Sequence, residues 1–183
     1  NDGTLLNKYG FENKLKRYGV DPSSKKFLHM FENDIKVLTD FFSYKKINEF
    51  SEGKKFKVIS SIAMFYDIND PVEFAKSIEL LLDENGFWII EIAYLPLMMK
   101  NLAYDQIMHE HLTYLSLRQM EIIFEKSKLK VVDFSINSVN GGSILIAACK
   151  KDYKCNIEVE KIRILREEEK KLSNFNVYKK FSE

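Results

Sequence analysis

Apolar and polar positions along this chain follow two rhythms, and each rhythm predicts an element. Residues 35–39 alternate with a period of two and read as a short strand. The runs 56–62 and 87–93 are brief, β-branched and nearly continuous in apolarity, which suits buried strands of a parallel sheet. Between them Phe74, Ile78, Leu81 and Leu82 recur at helical spacing. Asp70 can cap the free amides of that helix, Pro71 suits its first turn, and Glu73 completes a capping-box pattern. Asn85-Gly86 reads as the signal that ends it. Strand, helix and strand at this spacing predict a βαβ unit of a doubly wound α/β sheet.

Beyond Pro96 the pattern changes. Residues 104–114 are irregular. Ser116 and Gln119 form a capping box opening a helix to about residue 128, with Met120, Ile123 and Phe124 inward. Two further strands are predicted at 129–134 and 143–148, separated by Asn140-Gly141-Gly142. Residues 156–173 form a charged helix with apolar positions at Ile157, Ile162, Ile164, Leu165 and Leu172, and the run Arg166-Glu167-Glu168-Glu169-Lys170-Lys171 reads as its solvated surface. Trp88, inside a buried strand, reads as core.

Composition narrows the function. The 183 residues, 45% hydrophobic, suffice for a substantial core. Charges of both signs, with a net of +1, argue against a nucleic-acid partner. The longest apolar run, 87–99, is broken by Glu91 and Pro96, so no membrane span is expected. Cys149 and Cys155 form no Cys-x-x-Cys pair and suit a reducing compartment, so a cytoplasmic location is expected.

The chain has three histidines, and His109 and His111 flank Glu110. An imidazole can exchange a proton near neutral pH, so the cluster points to proton transfer. Surface or capping roles are the plainer alternative. A metal site is not expected, because three adjacent side chains converge poorly on one ion and no helical His-x-x-x-His spacing is present. Asp2-Gly3 can be an ordinary turn, Asp21 a cap before Pro22, Phe41-Phe42 plain core, and Asn140-Gly141-Gly142 a hairpin turn.

The order Asn1-Asp2-Gly3-Thr4-Leu5-Leu6, Gly19-Val20-Asp21-Pro22-Ser23, Asp40-Phe41-Phe42 and Ser61-Ile62-Ala63-Met64-Phe65-Tyr66-Asp67 resembles class I S-adenosylmethionine-dependent methyltransferases. His109-Glu110-His111-Leu112-Thr113-Tyr114-Leu115-Ser116-Leu117, followed by Asn140-Gly141-Gly142-Ser143, is similar to the nucleotide-sugar C-methyltransferases that build branched deoxysugars. The resemblance implies an α/β fold. An incomplete Rossmann-like methyltransferase sheet over residues 1–95 would precede the start of a C-terminal α/β substrate domain over 96–183. It also implies a piece of a longer protein, without an upstream cysteine-rich zinc module, the first strand of the cofactor domain and a C-terminal end.

The resemblance assigns roles. Asp2 and Gly3 would lie against the amino-acid end of S-adenosylmethionine. Asp21, next to Pro22, would accept the ribose hydroxyls, Asp40 the adenine amino group, and Phe41 would stack on the ring. Ser61 and Ile62 would line the other side, where open α/β sheets bind ligands beyond their strand ends. His111 would be the base that makes a keto-sugar carbon nucleophilic, Glu110 its helper, and His109 structural. Tyr66, Tyr114, Asn140, Gly141 and Gly142 would contact a small-molecule substrate, a nucleotide-linked keto-sugar. Two positions depart from the family pattern: Met108 stands where members have tyrosine, and Asp67 where they have histidine. An O- or N-methyltransferase on a small metabolite, or a scaffold that no longer binds cofactor, are the alternatives.

Overall fold

The computed structural model describes residues 2–9 and 15–183. The chain divides into two compact units, Asn1–Lys54 and Lys55–Glu183. In the first, helix α1 (Thr4–Asn7) precedes strand β1 (Arg17–Val20), a 3-10 helix (Pro22–Met30), strand β2 (Ile35–Leu38) and helix α2 (Tyr44–Phe50). β1 and β2 pair in parallel with Val20 opposite Leu38, so both strands end at one edge. Arg17 is buried at the opposite end, where its guanidinium donates to the Leu6 carbonyl at 3.0 Å and to Glu32 and Asp34 at 2.5 and 2.6 Å. A charge taken out of water needs such partners.

The second unit holds β3 (Phe56–Ile62), α3 (Pro71–Leu81), β4 (Leu82–Ala93), α4 (Leu95–Lys100), α5 (Leu117–Lys126), β5 (Leu129–Asn137), β6 (Ser143–Lys150), α6 (Val159–Glu169) and α7 (Phe175–Ser182). Its sheet has the order β3-β4-β6-β5. β3 and β4 run parallel, joined by α3, which is the expected βαβ unit. β6 pairs antiparallel with both β4 and β5, so the sheet is mixed. Residue 95, the expected boundary, is the first residue of α4 in this unit.

Trp88 is fully buried, as expected of core. The rings of Phe65, Phe74 and Phe124 lie 5.5, 6.1 and 5.5 Å from it. Its neighbours at a period of two, Ile90 and Ile92, are buried as well, while Ile89 and Glu91 are half-buried. α5 carries Met120, Ile123 and Phe124 inward as expected.

Four details differ from the sequence pattern. Asn85-Gly86 does not end a helix, because the chain passes from α3 into β4 at Leu82 and the pair lies within the strand. Gly86 is needed there for close backbone approach: a Cβ would sit 2.7 Å from the Phe56 carbonyl, beside a shift in the β3–β4 register. At the start of α3, Asp70 accepts from the Glu73 amide at 2.9 Å, but the Glu73 carboxylate turns to Lys76 instead of reaching back. β3 is less buried than its composition predicts, with Val58 and Ile62 exposed. It is the edge of its sheet among the described residues, and apolar content alone does not tell an edge strand from a central one. Lastly, the charge run at the end of α6 is not all surface, since Glu169 is only 5% exposed.

Both cysteines are free, with sulfurs 3.7 Å apart. No helix among the described residues is long and apolar enough to cross a membrane.

Candidate active site

In the first unit two of the expected cofactor positions, Asp21 and Asp40-Phe41, follow the ends of strands. Asp21 follows β1, and its amide donates to the Leu38 carbonyl at 3.1 Å, which sets it beside the end of β2. One carboxylate oxygen accepts from both the amide and the hydroxyl of Ser23, capping the 3-10 helix that Pro22 opens. Burial pushes the Asp21 carboxyl up, but these bonds outweigh it and hold it below the ordinary range. Asp40 follows β2 and accepts from the Phe41 amide at 2.7 Å and from Lys46 at 2.6 Å, which lower its pKa. The Phe41 ring is 73% exposed, so it is not core. Asp2 accepts from the Thr4 amide, and that bond lowers its pKa. Gly3, at φ +80°, opens α1, and a Cβ there would lie 2.8 Å from the Phe31 ring. Local packing and a positive φ thus both require this glycine.

In the second unit Ser61 and Ile62 end β3. Ser61 is buried, and its hydroxyl accepts from Trp88 Nε1 at 3.1 Å, so of the pair Ile62 is the exposed one. A short 3-10 turn, Phe65–Asp67, follows. The Tyr66 carbonyl accepts from the Leu112 amide at 3.0 Å, the Thr113 amide at 3.1 Å and the Thr113 hydroxyl at 3.3 Å. These bonds fasten the histidine segment to the end of β3. The His111 ring consequently lies against the Tyr66 ring, with centroids 4.3 Å apart, and 6.4 Å from Tyr114.

Asp67 is the ionisable neighbour that sequence reading treated only as a departure. Partial desolvation raises its pKa, the positive form of His111 opposes this, and Glu110 adds to it. Asp67 therefore feels both His111 and Glu110. Burial, followed by the charges of Asp67 and Glu91, raises the Tyr66 hydroxyl pKa. His109 points away with a side chain 91% exposed, and its Nε2 lies 3.6 Å from the Glu110 carboxylate. The direct partner of Glu110 among the described residues is thus His109.

The remaining expected contacts are placed as follows. Tyr114 donates to the Gln106 carbonyl at 3.4 Å. It also lines a cavity of about 430 Å³ with Leu95, Met98, Met99, Ile107 and Phe181. Asn140 is exposed at φ +50°. Gly141 and Gly142 have positive φ, and added Cβ atoms would lie 2.7 Å from Ala103 and 2.5 Å from Leu97. The turn packs on α4, and Asn101 fastens it by donating to the Gly141 carbonyl at 2.7 Å. No group of three or more His, Cys, Asp or Glu side chains able to hold a metal occurs among the described residues.

Sequence reading missed Glu169. Its carboxylate meets Tyr94, Ser116 and the first amides of α5, and the surrounding run of charges hid it. A signal was available in the helical phase, since Glu169 lies four and seven residues beyond the buried Leu165 and Ile162.

Three comparisons bear on this arrangement. A family model described as a methyltransferase domain matches residues 2–133. C-methyltransferase NovU of Streptomyces niveus is 38% identical over 84 residues, covering 46% of this chain and 20% of that protein. The chain therefore spans about a fifth of the curated relative it matches. Among solved structures, LepI in complex with SAH and a substrate analogue superposes with a TM-score of 0.60 at 13% identity, covering 81% of this chain and 40% of that one. The plantazolicin methyltransferase BpumL, in complex with a triazolic desmethylPZN analog and SAH, gives 0.57 at 13% identity, covering 81% of this chain and 73% of that one.

Proposed function

The chain belongs to the methyltransferase-domain family, and on that premise we propose that it serves the transfer of a methyl group from S-adenosylmethionine to a carbon of a nucleotide-linked keto-sugar. The observation that carries this reading is the His111 ring, lying against the Tyr66 ring and interacting with the Asp67 charge just beyond the end of a parallel strand. The partial likeness to a C-methyltransferase favours carbon as the acceptor.

The residues present suit the cofactor. In the first unit, Asp21 and Asp40 put carboxylates at the carboxyl edge of two parallel strands, where ribose hydroxyls and an adenine amino group can donate to them. Phe41 offers an exposed ring for the base to stack on. Gly3 and Asp2 stand at the loop assigned to the amino-acid end. When bound, the cofactor supplies an electrophilic methyl on a sulfonium.

His111 carries the proton chemistry. Its imidazole removes a proton from the carbon next to the substrate carbonyl, and the electron pair of that C–H bond becomes the enolate. The enolate so formed is the carbon nucleophile that would take up the methyl group a bound cofactor would supply. The proton stays on His111 until solvent takes it. Asp67, which interacts with His111 electrostatically, faces the positive charge so formed, and Glu110 is the neighbouring carboxylate assigned as helper. Tyr66 fixes the plane of the ring. Tyr114 and the Asn140–Gly142 turn contact the sugar nucleotide.

Titration calorimetry with S-adenosylhomocysteine on the intact protein tests the cofactor half, and absence of binding would remove the methyltransferase reading. The catalytic half is tested by His111→Ala. Turnover should fall by at least about 10²-fold with cofactor affinity unchanged, and near-normal turnover would exclude His111 as the base. A product methylated on oxygen or nitrogen would replace carbon as the acceptor.

A further inference from the structure

The Glu169 side chain, at the end of α6, is buried beneath a helix that begins 52 residues earlier. One carboxylate oxygen accepts from the Tyr94 hydroxyl and the Leu117 amide, both at 2.7 Å. The other accepts from the Ser116 hydroxyl at 2.8 Å and the Arg118 amide at 2.9 Å. Leu117 and Arg118 are the first two residues of α5, and the first amides of a helix have no partner within it. A negative group is also favoured there by the helix dipole. Gln119 meets the Ser116 amide at 3.0 Å, so the local cap and this remote one act together. Burial, and then the bond to Glu169, raise the Tyr94 hydroxyl pKa far above its ordinary value, which keeps it a donor.

The groups held by Glu169 border the histidine segment. Tyr94 bridges Leu115 in parallel, its amide donates to the Gly142 carbonyl at 3.0 Å, and the Leu95 amide donates to the Leu115 carbonyl at 3.0 Å. The segment 111–116 is thus fastened at both ends, with the Leu115 bridge to Tyr94 and Leu95 lying beside the second anchor. Near His111 the Tyr66 carbonyl holds Leu112 and Thr113, and at the far end Glu169 holds Ser116. Between them lies a stretch too short to drift if both anchors hold.

The geometry points to Glu169 as a positioning residue for His111: by pinning Tyr94 and the start of α5, its carboxylate sets where the 111–116 segment presents the imidazole. The inference rests on His111 being the base, but its test does not require turnover. Histidine-labelled NMR on the intact protein resolves three rings, His29, His109 and His111. In Glu169→Gln, which keeps shape and one acceptor oxygen, the His111 resonances should move while those of His29 and His109 stay. Hydrogen exchange at the amides of 112–118 should quicken by about tenfold or more, as expected for loss of a charge-assisted bond. The amides of β4 and β6 should be unaffected. Tyr94→Phe removes one of the four bonds and should give a smaller displacement of the same His111 signals. An unmoved His111 ring in both variants, or uniform acceleration of exchange throughout the second unit, would overturn the role. Near-normal methyl transfer with a displaced ring in these variants would overturn only the assignment of His111 as base.

Discussion

His111 shows how far single residues could be read and where reading stopped. Its presence in a histidine-poor chain, beside Glu110, marked it from sequence. Its actual surroundings, the Tyr66 ring and Asp67, come from 45 and 44 residues away, a separation that no local pattern encodes. The adjacent carboxylate lies nearer His109 than expected of a helper, because neighbouring side chains in an irregular segment diverge. Asp67 gives a pH test of this environment. Its folded-state carboxyl titrates above the ordinary 3.8, so folding disfavours the charged form. That cost is present above the folded pKa and vanishes as pH falls below 3.8, where the unfolded chain is protonated too. Asp67→Asn should therefore raise the melting temperature slightly at pH 7 and lose the advantage at pH ~3. The gain should be small, because the side chain remains exposed and screened. Paired thermal melts at the two pH values decide it, and an equal gain at both would refute the desolvated carboxyl.

At the scale of elements, the pattern located five of the six strands found among the described residues, all but β1, and helices α3, α5 and α6 were found within a few residues of where it put them. What it missed were positions where glycine serves packing. Asn85-Gly86 looks like a helix stop, yet Gly86 is required by the carbonyl of a neighbouring strand, and Asn140-Gly141-Gly142 packs on a helix that precedes it by some 40 residues. Two glycines separate backbone strain from packing. Gly53, at φ +73°, has open space around an added Cβ, whereas at Gly142, φ +127°, a Cβ would lie 2.5 Å from that of Leu97. Gly53→Ala should cost about 1 kcal/mol, the strain alone. Gly142→Ala should cost at least about 2 kcal/mol, because α4 must also move. Denaturant titration of the two variants compares them directly, and equal losses would mean that the turn yields without disturbing Leu97.

For the whole molecule, an α/β sheet was legible because strand–helix–strand spacing is local, and its methyltransferase likeness was carried by the motif resemblance. The antiparallel return of β6 beside β4 was not, since strand order depends on contacts across more than 50 residues. The two units also differ in how their cores are filled. The apolar side chains of the first unit that are buried among the described residues are Ile35 and Ile47, and its two strands are four residues each. In the second unit β4 and β6 each have a strand on both sides, and Trp88, Ile90, Ile144 and Ile146 are fully buried. Local opening costs least where few apolar contacts must be broken. Native-state hydrogen exchange should therefore find its slowest amides near the Ile90–Ile146 pair, with the β1–β2 amides exchanging at least about tenfold faster. Ligand should change that difference in a particular way. Asp21, Asp40 and Phe41, proposed to hold the cofactor, lie on the less protected unit, and a ligand that binds only the closed form stabilises it in proportion to its excess over Kd. Adding S-adenosylhomocysteine at about 100 times its Kd should slow β1–β2 exchange by up to about 100-fold, while the β4–β6 amides slow less. If β1–β2 exchange is unchanged under saturating ligand, the carboxylates and ring at that edge do not hold it.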